Sequence, residues 1–237
     1  MDLEIVLRNL ETMKISSGLH TINEKRFLYK LASHKDSGLI VEIGSFEGYS
    51  TIILGQATSE FGKVVAVDPH TGVLCEADEG GSPYLRNTWL LFNENIKKAG
   101  LSGVVRALKV KSEEAVKNWE EPIRLLFIDG SHRYEDVKKD FLLWRNYLTR
   151  GGKVVFHDCW LSGVRRVISD YLLRDSSFGE LKFVPCCMFC GTYLEKEHQQ
   201  VFQRAFWRFT FWSRGLIEER KTLRKCLLCL LRWLTRV

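Results

Sequence analysis

The stretch Leu39 to Thr51 constrains this chain more than any other: an apolar run, Leu39 to Ile43, then Gly44-Ser45-Phe46-Glu47-Gly48, then Tyr49-Ser50-Thr51. The run reads as a buried strand, the two glycines frame a tight turn, and Tyr49 to Ala57 continues as a helix. Strand, glycine turn and helix make a nucleotide-type cofactor site, because glycine lets a ligand reach the backbone and free amides at a helix start favour an anionic group. The next apolar run, Val64 to Val67, ends in Asp68, where an acid can grip a ribose diol. The turn spells E-x-G-x-x-x-G and not G-x-G-x-x-G, with an acid where a pyrophosphate would approach. That pattern disfavours NAD.

Two later apolar runs also end in polar groups. Arg124 to Ile128 leads into Asp129-Gly130-Ser131-His132, a helix follows from Glu135 to Tyr147, and the strand Lys153 to Phe156 ends in His157-Asp158. Consecutive parallel strands bring these groups to one carboxyl edge, where open α/β sheets bind ligands. Two carboxylates beside an imidazole suit a divalent ion, Mg or Mn by their preference for oxygen, so Asp129, His157 and Asp158 are the candidate metal ligands. Trp160 is expected as a pocket wall. Cys186, Cys187 and Cys190 have no second pair at zinc spacing and sit among apolar residues, so they read as buried thiols.

The 237 residues, 45% of them hydrophobic, suit one α/β domain with additions. We place the domain at 1–198, with a helical cap over 1–35 that covers one edge of the sheet, and a tail at 199–237. Seven cysteines and no secretory leader point to reduced thiols and a cytoplasmic protein. The segment from Pro69 to Pro83 is a long loop, either a lid over substrate or a disordered insert. Further helices are expected from Asn87 to Ala99, from Ser112 to Trp119 with Ser112 as N-cap, and from Ser162 to Leu173 with Arg165 and Arg166 either on a solvated face or meeting an anionic substrate. A strand is expected from Val104 to Val110, and the last two are Leu181 to Pro185 and Gly191 to Leu194.

The motifs V-E-I-G-S-F-E-G-Y-S-T, D-G-S-H-x-Y and G-G-x-V-x-x-H-D resemble those of class I methyltransferases that use S-adenosylmethionine, and within them the macrolide sugar and catechol O-methyltransferases. The resemblance spans about Asn23 to Glu195. It implies a Rossmann-like, seven-stranded, mostly parallel sheet with helices on both faces. It also implies that Glu42, Gly44, Ser45, Phe46, Ser50 and Asp68 surround the methionine and ribose, with Gly48 and Asp129 also binding the cofactor and Ser112 at the adenine corner. Catechol enzymes carry an aspartate-asparagine pair at the fifth strand and a lysine after the fourth-strand aspartate; Cys159 and His132 stand in those places here. The sugar enzymes are the nearer match at Asp129, His132 and Asp158, although His157 replaces an acid.

The expected activity is therefore transfer of a methyl group from S-adenosylmethionine to a hydroxyl, with a sugar of a glycan, glycolipid or glycosylated small molecule as acceptor. A sugar hydroxyl is a poor acid, so metal coordination lowers its pKa and His132 takes the proton as catalytic base. A non-catalytic membrane-surface protein with the same fold is the alternative from another class, and a nicotinamide oxidoreductase a more distant one.

Charge sets the tail apart. Residues 199–237 hold nine Lys and Arg against Glu218 and Glu219, in a chain of net charge +6, so the rest is near neutral and nucleic acid is not an expected partner. Phe202, Phe206, Trp207, Phe209, Phe211 and Trp212 crowd its start. Beyond them Leu223, Cys226, Leu227, Leu230 and Leu234 share one helical face, and Lys221, Lys225, Arg232 and Arg236 the other. Such a basic amphipathic tail either lies on an anionic membrane, at the inner face, or packs on its own domain or a second subunit. A homo-oligomer is left open.

Overall fold

The protein is described from a computed structural model over residues 2–15, 18–19, 21–71, 88–195 and 202–215. Its strands are Leu39–Ile43 (β1), Val64–Val67 (β2), Val105–Leu108 (β3), Ile123–Ile128 (β4), Leu148–Phe156 (β5), Phe178–Val184 (β6) and Met188–Tyr193 (β7). They form one sheet in the order β3-β2-β1-β4-β5-β7-β6. The first five pair in parallel, and β7 runs antiparallel to both β5 and β6. The parallel strands are short apolar runs because both of their faces are covered. The seven-stranded, mostly parallel sheet implied by the motifs is the one observed.

Register positions the site. Ile43 pairs with Val67 on one side and Ile128 on the other, and Ile128 pairs with Phe156. The residues that follow these ends, Gly44, Asp68, Asp129 and His157, therefore stand level. The strand order reverses between β1 and β4, which opens a crevice at that edge.

Alternation along the strands divides the core. Val41, Ile43, Leu126, Ile128, Val154 and Phe156 face Phe141 and Trp144 of α6 (Tyr134–Trp144) and Val164, Val167 and Ile168 of α7 (Ser162–Asp170). Ile40, Val64, Leu125, Phe127 and Val155 face the other layer, which holds α1 (Leu3–Met13), α2 (Ile22–Ala32), α3 (Tyr49–Thr58) and α4 (Trp89–Lys98). Each fully buried aromatic in these layers contributes roughly 2–3 kcal/mol by leaving water. The N-terminal helices were expected at a sheet edge. They cover a face instead: Leu3, Val6, Leu10 and Leu28 join the core that also contains strand residues of β1, β2, β4 and β5.

Other elements also depart from expectation. Ser112 begins α5 (Ser112–Ala115) as its first helical residue, with Lys111 as N-cap, and its hydroxyl bonds to Asp140 on α6. Arg165 does not lie on a solvated face; it is buried and its Nη1 donates to the Trp160 carbonyl at 3.2 Å. The Trp160 indole packs on Phe183 and Phe211 and donates to the Cys186 carbonyl at 3.0 Å. A helix over 202–215 (α8) lays Phe211 and Trp207 on Phe189, so this part of the tail packs on its own domain. Phe202, Phe206, Phe209 and Trp212 remain exposed on its outer side. The helical face beyond residue 215 and most of the loop from Pro69 to Pro83 lie outside the described residues.

Candidate active site

The glycine turn is built against β4. Gly44 has φ +88°, and a Cβ there would stand 2.3 Å from the Asp129 carbonyl oxygen and 2.5 Å from the Gly130 Cα. Only glycine lets the β1 and β4 ends approach so closely. Gly48 (φ +92°) caps α3. Asp68 holds the turn together: its Oδ2 accepts from the amides of Ser45 and Phe46, both at 2.9 Å, and its Oδ1 from His70 at 2.6 Å. Ser45 Oγ is buried and finds no hydrogen-bond partner among the described residues, so the turn has polar capacity for a ligand.

Glu42 is wholly buried beneath the turn and accepts from the hydroxyls of Ser50 and Thr51 at the start of α3. Burial, with smaller contributions from the charges of Asp129 and Asp68, pushes its carboxyl up to about 8. Through these two hydroxyls it ties strand to helix. His70, which the sequence reading passed over, is buried between Trp89 and Phe92 with its Nδ1 2.8 Å from Thr88 Oγ1. Burial lowers its pKa. Its signal was position alone, two residues after a strand-end acid.

Across the crevice, Asp129, His132 and Asp158 place one donor atom each within 4.8 Å of one another. Their side chains are 16%, 25% and 23% exposed, so they face the opening without being fully solvated. His132 Nε2 lies 3.1 Å from Asp158 Oδ2. The turn that carries His132 fits on α7 because residue 163 is glycine; a Cβ there would come within 2.0 Å of the His132 carbonyl oxygen.

His157 takes a different place from these three. Its side chain is 1% exposed and sits below the two aspartates, with Nδ1 3.0 Å from Asp129 Oδ1 and 3.1 Å from Asp158 Oδ2. Its Nε2 points the other way, to Cys187 Sγ at 3.4 Å and Glu24 Oε1 at 3.6 Å. Burial alone would favour the neutral ring, but the charge of Asp129 and hydrogen bonds with Asp129, Asp158 and Cys187 hold its pKa far above the usual imidazole range. Asp158 is correspondingly lowered: burial opposes this, and hydrogen bonds with His132 and His157 outweigh it. Glu24, another residue the sequence reading missed, lies on α2. It is held down to about 2 against the cost of burial by His157, Cys187 and Thr21. Its readable signal was Thr21-x-x-Glu24, a capping box at the start of α2.

The sequence reading set His157 beside the two carboxylates as a metal ligand; the imidazole that shares their opening is His132, with His157 buried beneath. Two carboxylates and an imidazole at a half-open edge suit a hard divalent ion, and the turn with its orphaned hydroxyl suits the polar end of a cofactor. A cavity of about 380 Å³ lined in part by Val6, Met13, Ile52 and Gln56 lies beside α1 and α3, away from these groups.

A mostly parallel sheet in the order β3-β2-β1-β4-β5-β7-β6, with β7 antiparallel and a glycine turn after β1, is the fold of the class I methyltransferases. A family model described as "Methyltransferase domain" matches residues 41–159, and the chain belongs to that family. Among curated proteins it is similar to uncharacterized protein R132 of Acanthamoeba polyphaga mimivirus, 33% identical over 128 residues, 52% of each chain. It is also similar to tricin synthase 1 of Oryza sativa subsp. japonica, 26% identical over 152 residues, covering 62% of this chain and 54% of that one. The chain thus spans about half the length of the curated relatives it matches. In fold it resembles the O-methyltransferase from Bacillus cereus solved with SAH, at a TM-score of 0.59 and 17% identity over 81% of this chain and 90% of that one. The O-methyltransferase TomG from Streptomyces achromogenes, solved with SAM, gives 0.57 and 16% over 81% and 89%. No helix among the described residues is long and apolar enough to cross a membrane.

Proposed function

We propose that the protein transfers a methyl group from S-adenosylmethionine to a hydroxyl oxygen, with a sugar hydroxyl as acceptor. The observation that carries this reading is the gathering of Asp129, His132 and Asp158 at the crevice edge, level with the glycine turn. S-adenosylmethionine supplies a methyl already activated on sulfonium, so the protein has to align an oxygen and help remove its proton. In this reading Ser45, Phe46, Gly48 and Asp68 border the cofactor, while Glu42 and Ser50 fix the turn from below.

Asp129 and Asp158 would hold a divalent ion, and a bound ion lowers the pKa of a coordinated hydroxyl. His132 faces the same opening and accepts the proton, oriented by Asp158. His157, first considered as a metal ligand, supports both aspartates from beneath through Nδ1. The test is methyl transfer to a panel of sugar and phenolic hydroxyls, with and without Mg or Mn and with chelator. Transfer to phenolic hydroxyls such as catechols, with none to sugars, would overturn the sugar acceptor.

We further infer that α8 meets an anionic membrane surface while its inner side stays on the domain. Phe202, Phe206, Phe209 and Trp212 recur at helical spacing on the outer side, Arg208 and Arg214 are also exposed, and the helix contains no acid. Aromatic side chains flanked by cations suit a headgroup interface.

A further inference from the structure

Behind the two aspartates, on the far side of the His157 ring, lies a second group of donors. Glu24 Oε1 is 2.8 Å from Cys187 Sγ and 3.6 Å from His157 Nε2, and Cys187 Sγ is 3.4 Å from the same nitrogen. Cys186 adds a fourth: its sulfur, a Glu24 carboxylate oxygen and Cys187 Sγ all fall within 4.8 Å of one another. We propose that Glu24, His157, Cys186 and Cys187 form a binding site for a zinc-like divalent metal, distinct from the hard-ion site at the crevice.

Donors around a tetrahedral zinc ion, with bonds of about 2.0–2.3 Å, stand roughly 3.3–3.8 Å apart. The two His157 separations already lie in that range, and the Glu24 to Cys187 contact needs to widen by a few tenths of an ångström. Adjacent side chains of an extended strand point to opposite faces, which ordinarily prevents neighbouring cysteines from sharing an ion. Here Cys186 lies in the turn between β6 and β7 with φ +97°, off the extended strand, and both sulfurs lie within 4.8 Å of a Glu24 carboxylate oxygen. Two sulfurs, one nitrogen and one oxygen select a borderline-soft metal over Mg.

The shell behind these donors is also present. Ring nitrogens that ligate metals characteristically have their other nitrogen on a carboxylate, and His157 Nδ1 has both Asp129 and Asp158. Glu24 Oε2 accepts from the Thr21 amide at 2.8 Å, which leaves Oε1 for the ion. The Cys187 carbonyl accepts from the Cys159 amide at 2.8 Å, and the Cys186 carbonyl from the Trp160 indole. Burial pushes the Cys187 thiol up to about 12 and the aspartates hold His157 protonated, so the cation itself has to displace the Cys187 proton and the one on His157 Nε2, as metals do at coordinating thiols and imidazoles. Cys186 is exposed and gives the ion a way in. The three cysteines of this segment were read from sequence as buried thiols; Cys187 and Cys190 are, but Cys186 is exposed, and Glu24, 162 residues before it, has no local signature as their partner.

The full chain, purified and stripped of metal under reducing conditions, is titrated with Co and with Zn. We expect saturation near one equivalent, a thiolate-to-cobalt charge-transfer band in the near ultraviolet, and displacement of Co by Zn. Cys186→Ser, at an exposed position that does not endanger folding, should lower affinity at least tenfold and weaken the band, and Cys187→Ser should abolish it. Asp158→Asn should keep the band while impairing any Mg-dependent activity, which separates this site from the crevice. Absence of a thiolate band in the folded wild type, or a band and affinity unchanged in Cys186→Ser, would overturn the proposal.

Discussion

His132 Nε2 lies 3.1 Å from Asp158 Oδ2, although the two residues come from turns after different strands. The contact aims an imidazole at the opening where an acceptor hydroxyl would sit. His132→Ala should lower turnover by about 10²–10⁴-fold, the usual range for loss of a general base, with little change in the affinity for S-adenosylmethionine. Asp158→Ala should abolish metal-dependent turnover. Initial-rate kinetics paired with calorimetry of cofactor binding checks both, and loss of cofactor binding in either variant would assign these residues to the cofactor instead.

Gly44→Ala is expected to be severe. The new Cβ meets the backbone of Asp129 and Gly130, which cannot swing away as a flexible side chain could, and φ is +88°. We expect a stability loss of about 2–5 kcal/mol, read from the urea midpoint, together with loss of cofactor binding. A variant as stable as the wild type would mean that the β1 and β4 ends are less closely joined than described.

Asp140 gives a pH dependence with a defined sign. Burial raises its pKa from 3.8 to about 6, against the opposing hydrogen bond from Ser112. The folded chain therefore holds this proton where the unfolded chain has lost it, and the Asp140 contribution to stability falls as pH rises from about 4 to about 6, then levels. Asp140→Asn keeps an acceptor for Ser112 and should remove that fall, stabilising the protein by about 1–3 kcal/mol at pH 7. Denaturant melts at pH 4, 5, 6 and 7 would show it; parallel pH profiles for the two proteins would contradict it.

The outer face of α8 separates membrane contact from packing. Phe206→Ser and Trp212→Ser together leave Trp207 and Phe211 in the core, so the domain should remain folded. Co-sedimentation with anionic vesicles should drop at least tenfold, and salt should weaken the binding of the unmutated chain. Equal sedimentation of variant and wild type, or none by either, would remove this surface from the account.

Much of this architecture was legible because short apolar runs ending in acids mark strands that share one carboxyl edge. The convergence of Asp129 and Asp158 follows from that pattern and from parallel register. The sequence showed a helical cap over 1–35, but helical spacing carries no information about its partner, and the cap was placed at an edge. Ser112 looked like an N-cap because its bond to Asp140 spans 28 residues of sequence and has no local signature. The place of His157 was hidden for the same reason: its Nε2 partners, Glu24 and Cys187, come from α2 and from the turn before β7. Arg165 showed as a charge on an amphipathic helix, whereas its guanidinium reaches a backbone carbonyl that periodicity does not reveal.

The central claim is that the crevice between β1 and β4 carries out methyl transfer with Asp129, His132 and Asp158. Its most direct test follows isotopically labelled methyl from S-adenosylmethionine into sugar acceptors, for wild type and Asp158→Ala, with Mg present and after chelation. We predict label in a base-stable ether linkage on a sugar hydroxyl for the wild type with Mg, and none for the variant or after chelation. Cofactor binding with no transfer to any hydroxyl acceptor, or transfer that is equal in wild type, variant and chelated samples, would contradict it.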